Sequence, residues 1–248
     1  MLGLGASLLS PYVADAGYVN THSLSLDGTG TGDDTDFLDT NTTLQAQLRE
    51  SFSISMWVKL DDGQPNPADY FAGSVVSGNQ VAFTLLSTGK LNFVHFSNSD
   101  IALYSTDAVI FSNGANDWTH IGITVTKRFM GGDTAYKIYV NGSESAGTKT
   151  LGVSGPNHDV FTTSANFAFG ATGSTGQGTD GLIDECAFFD GVLTDEEMLA
   201  IGGGGAPTDI TGHDHLYLYY KLNNNTNDEV GNSNGTLKGQ AAFSTTTP

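Results

Sequence analysis

The chain has very little cysteine: Cys186 stands alone in 248 residues, which excludes any intrachain disulfide. It is also poor in positive charge, with 9 Lys plus Arg against 27 Asp plus Glu and a net charge of −18. Such a surface repels phosphate backbones and anionic lipid, so nucleic acid and membrane are excluded as partners. No apolar run is long enough to cross a bilayer. Only 15% of residues are charged, while glycine is abundant (32) among many Thr, Ser, Asn and Asp. That composition suits short strands joined by many turns, and the length is normal for one large all-β sandwich.

The N-terminal stretch Met1-Leu2-Gly3-Leu4-Gly5-Ala6-Ser7-Leu8-Leu9 is apolar, yet no Lys or Arg precedes it and glycine interrupts it. Residues 1–20 are therefore read as an arm that stays attached and docks on a partner through Leu2, Leu4, Leu8 and Leu9. Residues 21–248 are read as one domain.

Alternation then marks strands at His22–Leu26, Phe52–Leu60, Val81–Leu86, Leu91–Phe96, Ile101–Tyr104, Asp117–Thr126, Ala135–Val140 and Asn166–Phe169. Asn141-Gly142 is a strong hairpin signal. Gln45–Arg49 is read as a helical turn, and Asp61–Tyr70 as a loop. Beyond the glycine run 202–205, His215–Leu222 and Gln240–Ser244 read as strands. That tail, residues 212–248, is too short for a core of its own and must complete the main sheets, in this copy or a neighbouring one. The expectation is a two-sheet antiparallel β-sandwich.

The most specific stretch is Gly181-Leu182-Ile183-Asp184-Glu185-Cys186-Ala187-Phe188-Phe189. Alternation places Leu182, Asp184, Cys186 and Phe188 on one face and Ile183, Glu185, Ala187 and Phe189 on the other. An acid among apolar neighbours must be neutralised, hydrogen-bonded or bound to a cation. Cys186 reads as a small buried hydrophobe. Thr194 with Glu197 forms a capping box that opens a short helix over 194–201.

Ser53-Ile54-Ser55-Met56-Trp57-Val58, Asp117-Trp118-Thr119-His120-Ile121, Tyr139-Val140-Asn141-Gly142 and Gly181–Glu185 followed by Leu193–Glu197 occur in an order that resembles the concanavalin A-like jelly roll in its laminin-G-like form. The resemblance covers roughly residues 20–245. Leu218–Leu222, Asp228 and Asn234-Gly235-Thr236-Leu237 resemble the opening strand of such modules but stand last, which implies a permuted or an exchanged tail. The resemblance further implies a structural calcium ion held by Asp184, Asp27 and the Gly28 carbonyl. The other reading of Asp184 is a carboxylate satisfied by amide hydrogen bonds. The layout, with its uncleaved leader, is similar to structural proteins of tailed phages. That implies a non-enzymatic virion component, partnered by its own copies and other virion proteins, and located in the virion. The alternative it implies is a calcium-dependent lectin that binds polysaccharide.

Catalytic patterns are missing. Related glycosidases set acids at alternating positions of one strand, whereas Asp184 and Glu185 are consecutive, and Asp34-Thr35-Asp36 lies in a loop. His213 and His215 have no third ligand nearby in sequence. Trp57 and Tyr139 have the outer parity of their strands, and Tyr217 and Tyr219 alternate together on theirs. They would stack on a pyranose ring if exposed, or pack against another layer if covered.

Overall fold

The computed structural model describes residues 18–28, 35–76, 79–97, 100–127, 134–151, 164–173 and 177–248. Every segment read as a strand contributes one, because β-branched and aromatic residues at alternate positions can bury one face of a pleated ribbon. The strands are β1 Ser23–Asp27, β2 Phe37–Asp39, β3 Phe52–Leu60, β4 Asp69–Val76 and β5 Asn79–Leu85. Next come β6 Leu91–Ser97, β7 Asp100–Thr106, β8 Thr119–Thr126, β9 Ala135–Val140, β10 Ser143–Ser145, β11 Gly147–Leu151 and β12 Ala168–Phe169. The long β13 Asp180–Phe189 precedes helix α1 Asp195–Gly202, and β14 Leu216–Tyr220, β15 Thr236–Lys238 and β16 Ala242–Ser244 close the chain. Strands β2, β4, β10, β11 and β15 were not legible as alternating runs, and β4 takes Asp69 and Tyr70 from the segment read as a loop.

All pairings are antiparallel. One sheet runs β10-β9-β8-β3-β13-β1-β16, with β14 also on β13; the other runs β11-β7-β6-β5-β4-β12-β2-β15. The tail strands add to this chain's own sheets: β14 to β13, β15 to β2 and β16 to β1. Aromatic rings bridge the two inner faces, as Phe52 with Phe93 at 6.2 Å between centroids and Phe169 with Tyr220 at 6.1 Å. Ile54, Met56, Val58, Ile121, Ile123, Ile183 and Phe188 fill the first sheet's side of this core.

The first sheet is buried on both faces. Its outer side carries Tyr139, Ala187, Phe189 and Tyr219, which pack with Leu193, Met198, Ile201 and Ile210 of α1 and its flanking segments. The capping box forms as expected: Thr194 accepts from the Glu197 N–H and Glu197 accepts from the Thr194 N–H. Ser53 Oγ donates to the Gly191 carbonyl and accepts from the Leu193 N–H, which ties the approach to the helix down on β3. Two glycines set how closely α1 lies on the sheet. A Cβ on Gly122 would stand 2.7 Å from Met198 Sδ, and one on Gly202 would stand 2.0 Å from His120 Nδ1. Gly202 is thus a packing position rather than part of a flexible break. Asn141 and Gly142 take positive φ (48° and 73°) in the β9–β10 hairpin.

Candidate functional site

Three regions carry the polar chemistry. The first is the acid pair in β13. Its register against β3 runs Ile183↔Val58 and Asp184↔Trp57, then resumes at Ala187↔Ser55, so one extra residue is inserted. Glu185 absorbs it with a φ of 50°, rare for a side-chain-bearing residue. The bulge corrects the strict alternation expected from sequence. Ile183, Cys186 and Phe188 join the inter-sheet core, while Ala187 and Phe189 pack under α1. Asp184 and Glu185 therefore do not point to opposite faces: both carboxylates meet the segment that precedes β1, and Glu185 also meets Tyr219 of β14.

Both acids are buried, and their partners come from three parts of the chain. Asp184 accepts from Asn20 Nδ2 at 2.6 Å and from the Glu185 N–H at 3.0 Å. Glu185 accepts from the Tyr18 and Tyr219 hydroxyls. Asn223 Oδ1 accepts from the Thr21 and His22 N–H groups, binding the same entry segment. Lys221 stacks over the Tyr18 ring at 5.2 Å while pairing with Asp209 at 3.0 Å. Burial pushes the Asp184 carboxyl up to about 8, against the pull of its Asn20 and Glu185 hydrogen bonds. Burial, with Asp184 beside it, holds Glu185 well above the carboxylate range. Both shifts favour the neutral acids, and through these hydrogen bonds the pair acts as a clasp on the entry to β1. Cys186 is fully buried and its thiol is pushed up, first by burial, so it is no nucleophile.

The second region is the end of the sandwich where the calcium ligands were expected. Asp27 lies opposite Asp180, not Asp184. At the usual strand rise, four residues separate Asp27 from the level of Asp184 by about 13 Å. Asp27, Gly28 and Asp184 thus do not form one ligand set, and Asp184 follows the amide-bonded reading. Asp27 does gather with other acids. Burial raises Asp180, with Asp61, Asp27 and Asp62 adding to it, and burial lifts Asp69 to about 7. Among the described residues no group of three or more His, Cys, Asp or Glu is arranged to hold a metal ion. His213 and His215 sit in the turn before β14, facing Glu197 and Asp190 respectively, and do not converge.

The aromatic residues form no exposed platform. Trp57, Tyr139 and Tyr219 are buried. Trp57 meets His120 edge-on at 5.6 Å, the Tyr139 hydroxyl donates to Asp195 at 2.6 Å, and the Tyr219 hydroxyl is held by Glu185. The outer parity of Trp57 and Tyr139 was read correctly, but α1 and the tail lie over that face. Tyr217 is half-buried, and its carbonyl accepts from Asn232. Leu2, Leu4, Leu8, Leu9 and Asp34 lie outside the described residues.

The third region escaped the sequence reading: the outer face of the second sheet. Cross-strand register lines its outward residues up in three rows. One row is Tyr70–Thr84–Asn92–Ser105–Thr148, the next Gly73–Ala82–Val94–Leu103–Thr150, the last Val75–Gln80–Phe96–Ile101. Asn92 Nδ2 donates to Thr84 Oγ1 at 3.2 Å, and Ser105 Oγ donates to Asn92 Oδ1 at 2.7 Å, so the first row is an ordered hydroxyl–amide ladder. Beside it Val94, Phe96, Ile101 and Leu103 are half-buried. Thr84, Asn92 and Ala82 are themselves buried, and beyond β4 the middle row continues through Ala168 to Asp39, which Lys238 of β15 approaches at 3.7 Å. The signal lay in the even positions of β5 and β6, but only register shows that they line up.

Two antiparallel sheets with a helix laid on the outside of one define a lectin-like β-sandwich. Residues 29–198 match the family model of the Concanavalin A-like lectin/glucanases superfamily, and the chain belongs to that family. Among solved structures it is similar to a protein from Bacteroides ovatus described as carbohydrate binding, at 17% identity and a TM-score of 0.60, over 92% of this chain and 60% of that one. It thus spans less than two thirds of that relative's length. It is also similar to the heptameric SAP-like pentraxin of Limulus polyphemus (13% identity, TM-score 0.58, 93% of this chain and 98% of that one). A third is the sialidase CBM40 module of Ruminococcus gnavus, solved with α2,3-sialyllactose (14% identity, TM-score 0.52, 71% and 97%). At these identities the likeness is one of fold. No curated protein matches the sequence. Among the described residues no helix is long and apolar enough to cross a membrane.

Proposed function

We propose that this chain is a non-catalytic carbohydrate-binding domain whose ligand lies along the outer face of the second sheet. The observation that carries this reading is the juxtaposition of the half-buried Val94, Phe96, Ile101 and Leu103 with Gln80, Thr148 and Thr150, which keep solvent exposure on the same face. A pyranose presents apolar C–H faces and hydroxyl edges; the apolar residues offer a counterpart to the first, and Gln80, Thr148 and Thr150 beside them to the second. The family and the carbohydrate-binding relatives of the same fold support the reading. The acid pair of β13 is committed to intramolecular hydrogen bonds, which removes it as a catalytic dyad. The part in a viral particle implied by the sequence resemblance concerns where such a domain is mounted, and it is compatible with a glycan-binding face.

The test is titration calorimetry of the full chain against soluble polysaccharides, with Phe96→Ala as the probe of the face. Binding weakened tenfold or more in Phe96→Ala, with an unchanged unfolding midpoint, is the expected result. Binding that Phe96→Ala and Leu103→Ala both leave intact would place the ligand elsewhere.

A further inference from the structure

We infer that Asn113 is a site of covalent self-modification built into the fold: the nitrogen of Gly114 converts its side-chain amide to a succinimide, and then to aspartate or isoaspartate, with Asp62 as the base. The site lies in the loop between β7 and β8 and stands apart from the carbohydrate reading. Asparagine followed by glycine suits this chemistry. The next residue's nitrogen can reach the asparagine Cγ and close a ring, and glycine hinders that approach least because it has no Cβ. The sequence holds three such pairs, Asn113-Gly114, Asn141-Gly142 and Asn234-Gly235.

The fold treats the three differently. Asn141 Oδ1 accepts from the His120 N–H at 3.0 Å, and the Asn141 N–H donates to the His120 carbonyl at 2.8 Å. A Cβ on Gly142 would stand 2.8 Å from Leu199 Cα, so this hairpin has no room to move. Asn234 Oδ1 accepts from the Asp228 N–H at 3.0 Å, and the Gly235 N–H is tied to the Thr226 carbonyl at 2.8 Å, an acceptor that takes no proton. Asn113 is exposed, and no other described residue engages its side chain. Gly114 has a φ of 83°, and a Cβ placed there would meet no atom within 4 Å. Its N–H donates to Asp62 Oδ1 at 3.1 Å, and Asp62 is fixed by the Gln64 N–H at 2.9 Å. The Gly114 carbonyl is held by the Gly63 N–H at 2.9 Å and Asn116 Nδ2 at 2.6 Å. The nucleophilic nitrogen is thus presented to a base, while the amide that it attacks turns freely.

The Gly114 nitrogen bonds to Asn113 Cγ as its proton passes to the Asp62 carboxylate. The Cγ–Nδ2 bond then breaks, and Nδ2 takes that proton and leaves as ammonia, which restores Asp62. Solvent water opens the ring at Cγ, giving aspartate, or at the backbone carbonyl carbon of residue 113, giving isoaspartate. Either product adds a negative charge close to Asp62 in a chain already at −18. Isoaspartate also lengthens the backbone by a methylene, which pulls Gly114 away from Gly63 and Asn116.

The experiment is peptide mapping by mass spectrometry of the full chain held in mildly alkaline buffer, folded and in urea. In urea the three pairs should convert at similar rates. In the folded protein Asn113 is expected to stay within about threefold of that rate, while Asn141 and Asn234 slow by about tenfold or more. Asp62→Ser keeps an acceptor for the Gln64 N–H but supplies no base, and unlike Asp62→Asn it adds no new Asn-Gly pair at Gly63. It should slow Asn113 about tenfold in the folded protein and leave the rate in urea unchanged. Asn113 slowed as much as the other two, or matched by either of them in the folded protein, would overturn the inference. An unchanged rate in folded Asp62→Ser would overturn the role of Asp62 as the base.

Discussion

Replacing Asp184 with asparagine should stabilise the protein at alkaline pH and not at acid pH. Asp184 is fully buried, and its carboxyl is lifted from the ordinary aspartate range to about 8. A raised folded-state value means that the native protein holds a proton the unfolded chain releases. The contribution is fully present below about pH 4 and is lost as pH rises to about 8, at about 1.4 kcal/mol per pH unit for one proton. At pH 7 the interval from an unperturbed aspartate near 3.9 spans about 3 pH units, or about 4 kcal/mol at most. Relaxation of the surroundings and sharing of the proton with Glu185 bring that to ~2–3 kcal/mol. An amide can still accept from Asn20 but turns its NH2 toward the Glu185 N–H, which costs about 1 kcal/mol at every pH. The net expectation for Asp184→Asn is a gain of ~1–2 kcal/mol at pH 8 and a loss of about 1 kcal/mol at pH 4.5. Urea unfolding at pH 4.5, 6, 7 and 8.5, with equal m-values, measures this directly. The wild-type curve should fall more steeply with pH than the variant's, by about one proton's slope. Parallel curves would refute the reasoning, because they would mean that Asp184 binds no more protons folded than unfolded.

Two further outcomes concern the helix that closes the outer face. Gly202→Ala drives a methyl group to within 2.0 Å of the His120 ring, which is fully buried and held neutral by that burial. It should cost ~1–3 kcal/mol by thermal unfolding, and a smaller residue at position 120 should recover part of it non-additively. Thr194→Ala removes the capping box and should cost about 1 kcal/mol. Hydrogen exchange should then speed up in residues 195–202 while β6 and β7 stay unchanged; faster exchange throughout would mean that the helix is not a separable unit.

Local rules made much of the fold legible. The Phe52–Leu60 alternation, the Asn141-Gly142 turn and the Thr194–Glu197 capping box each act within a few residues, so sequence alone carries them. Strand β4 was missed because Tyr70-Phe71-Ala72 contains a register shift, and a shifted ribbon shows no clean period. The clasp was half legible: an acid inside an apolar strand demanded a partner, but Tyr18, Asn20 and Tyr219 are distant in sequence.

What the sequence by itself determined is the positions of the cleanly alternating strands, the class of fold and the character of Asp184 as a group needing compensation, because backbone period and desolvation are properties of the residues themselves. Tertiary structure alone decided which outer face the helix covers. The parity of Trp57, Tyr139 and Tyr219 is the same whether or not a helix lies over them, and α1 lies over that side. It also decided that Asp27 meets Asp180 instead of Asp184, since register is a relation between strands. The bulge at Glu185 turned two consecutive acids toward the same segments. One extra residue reverses every later position in a strand, and only the partner strand reveals it.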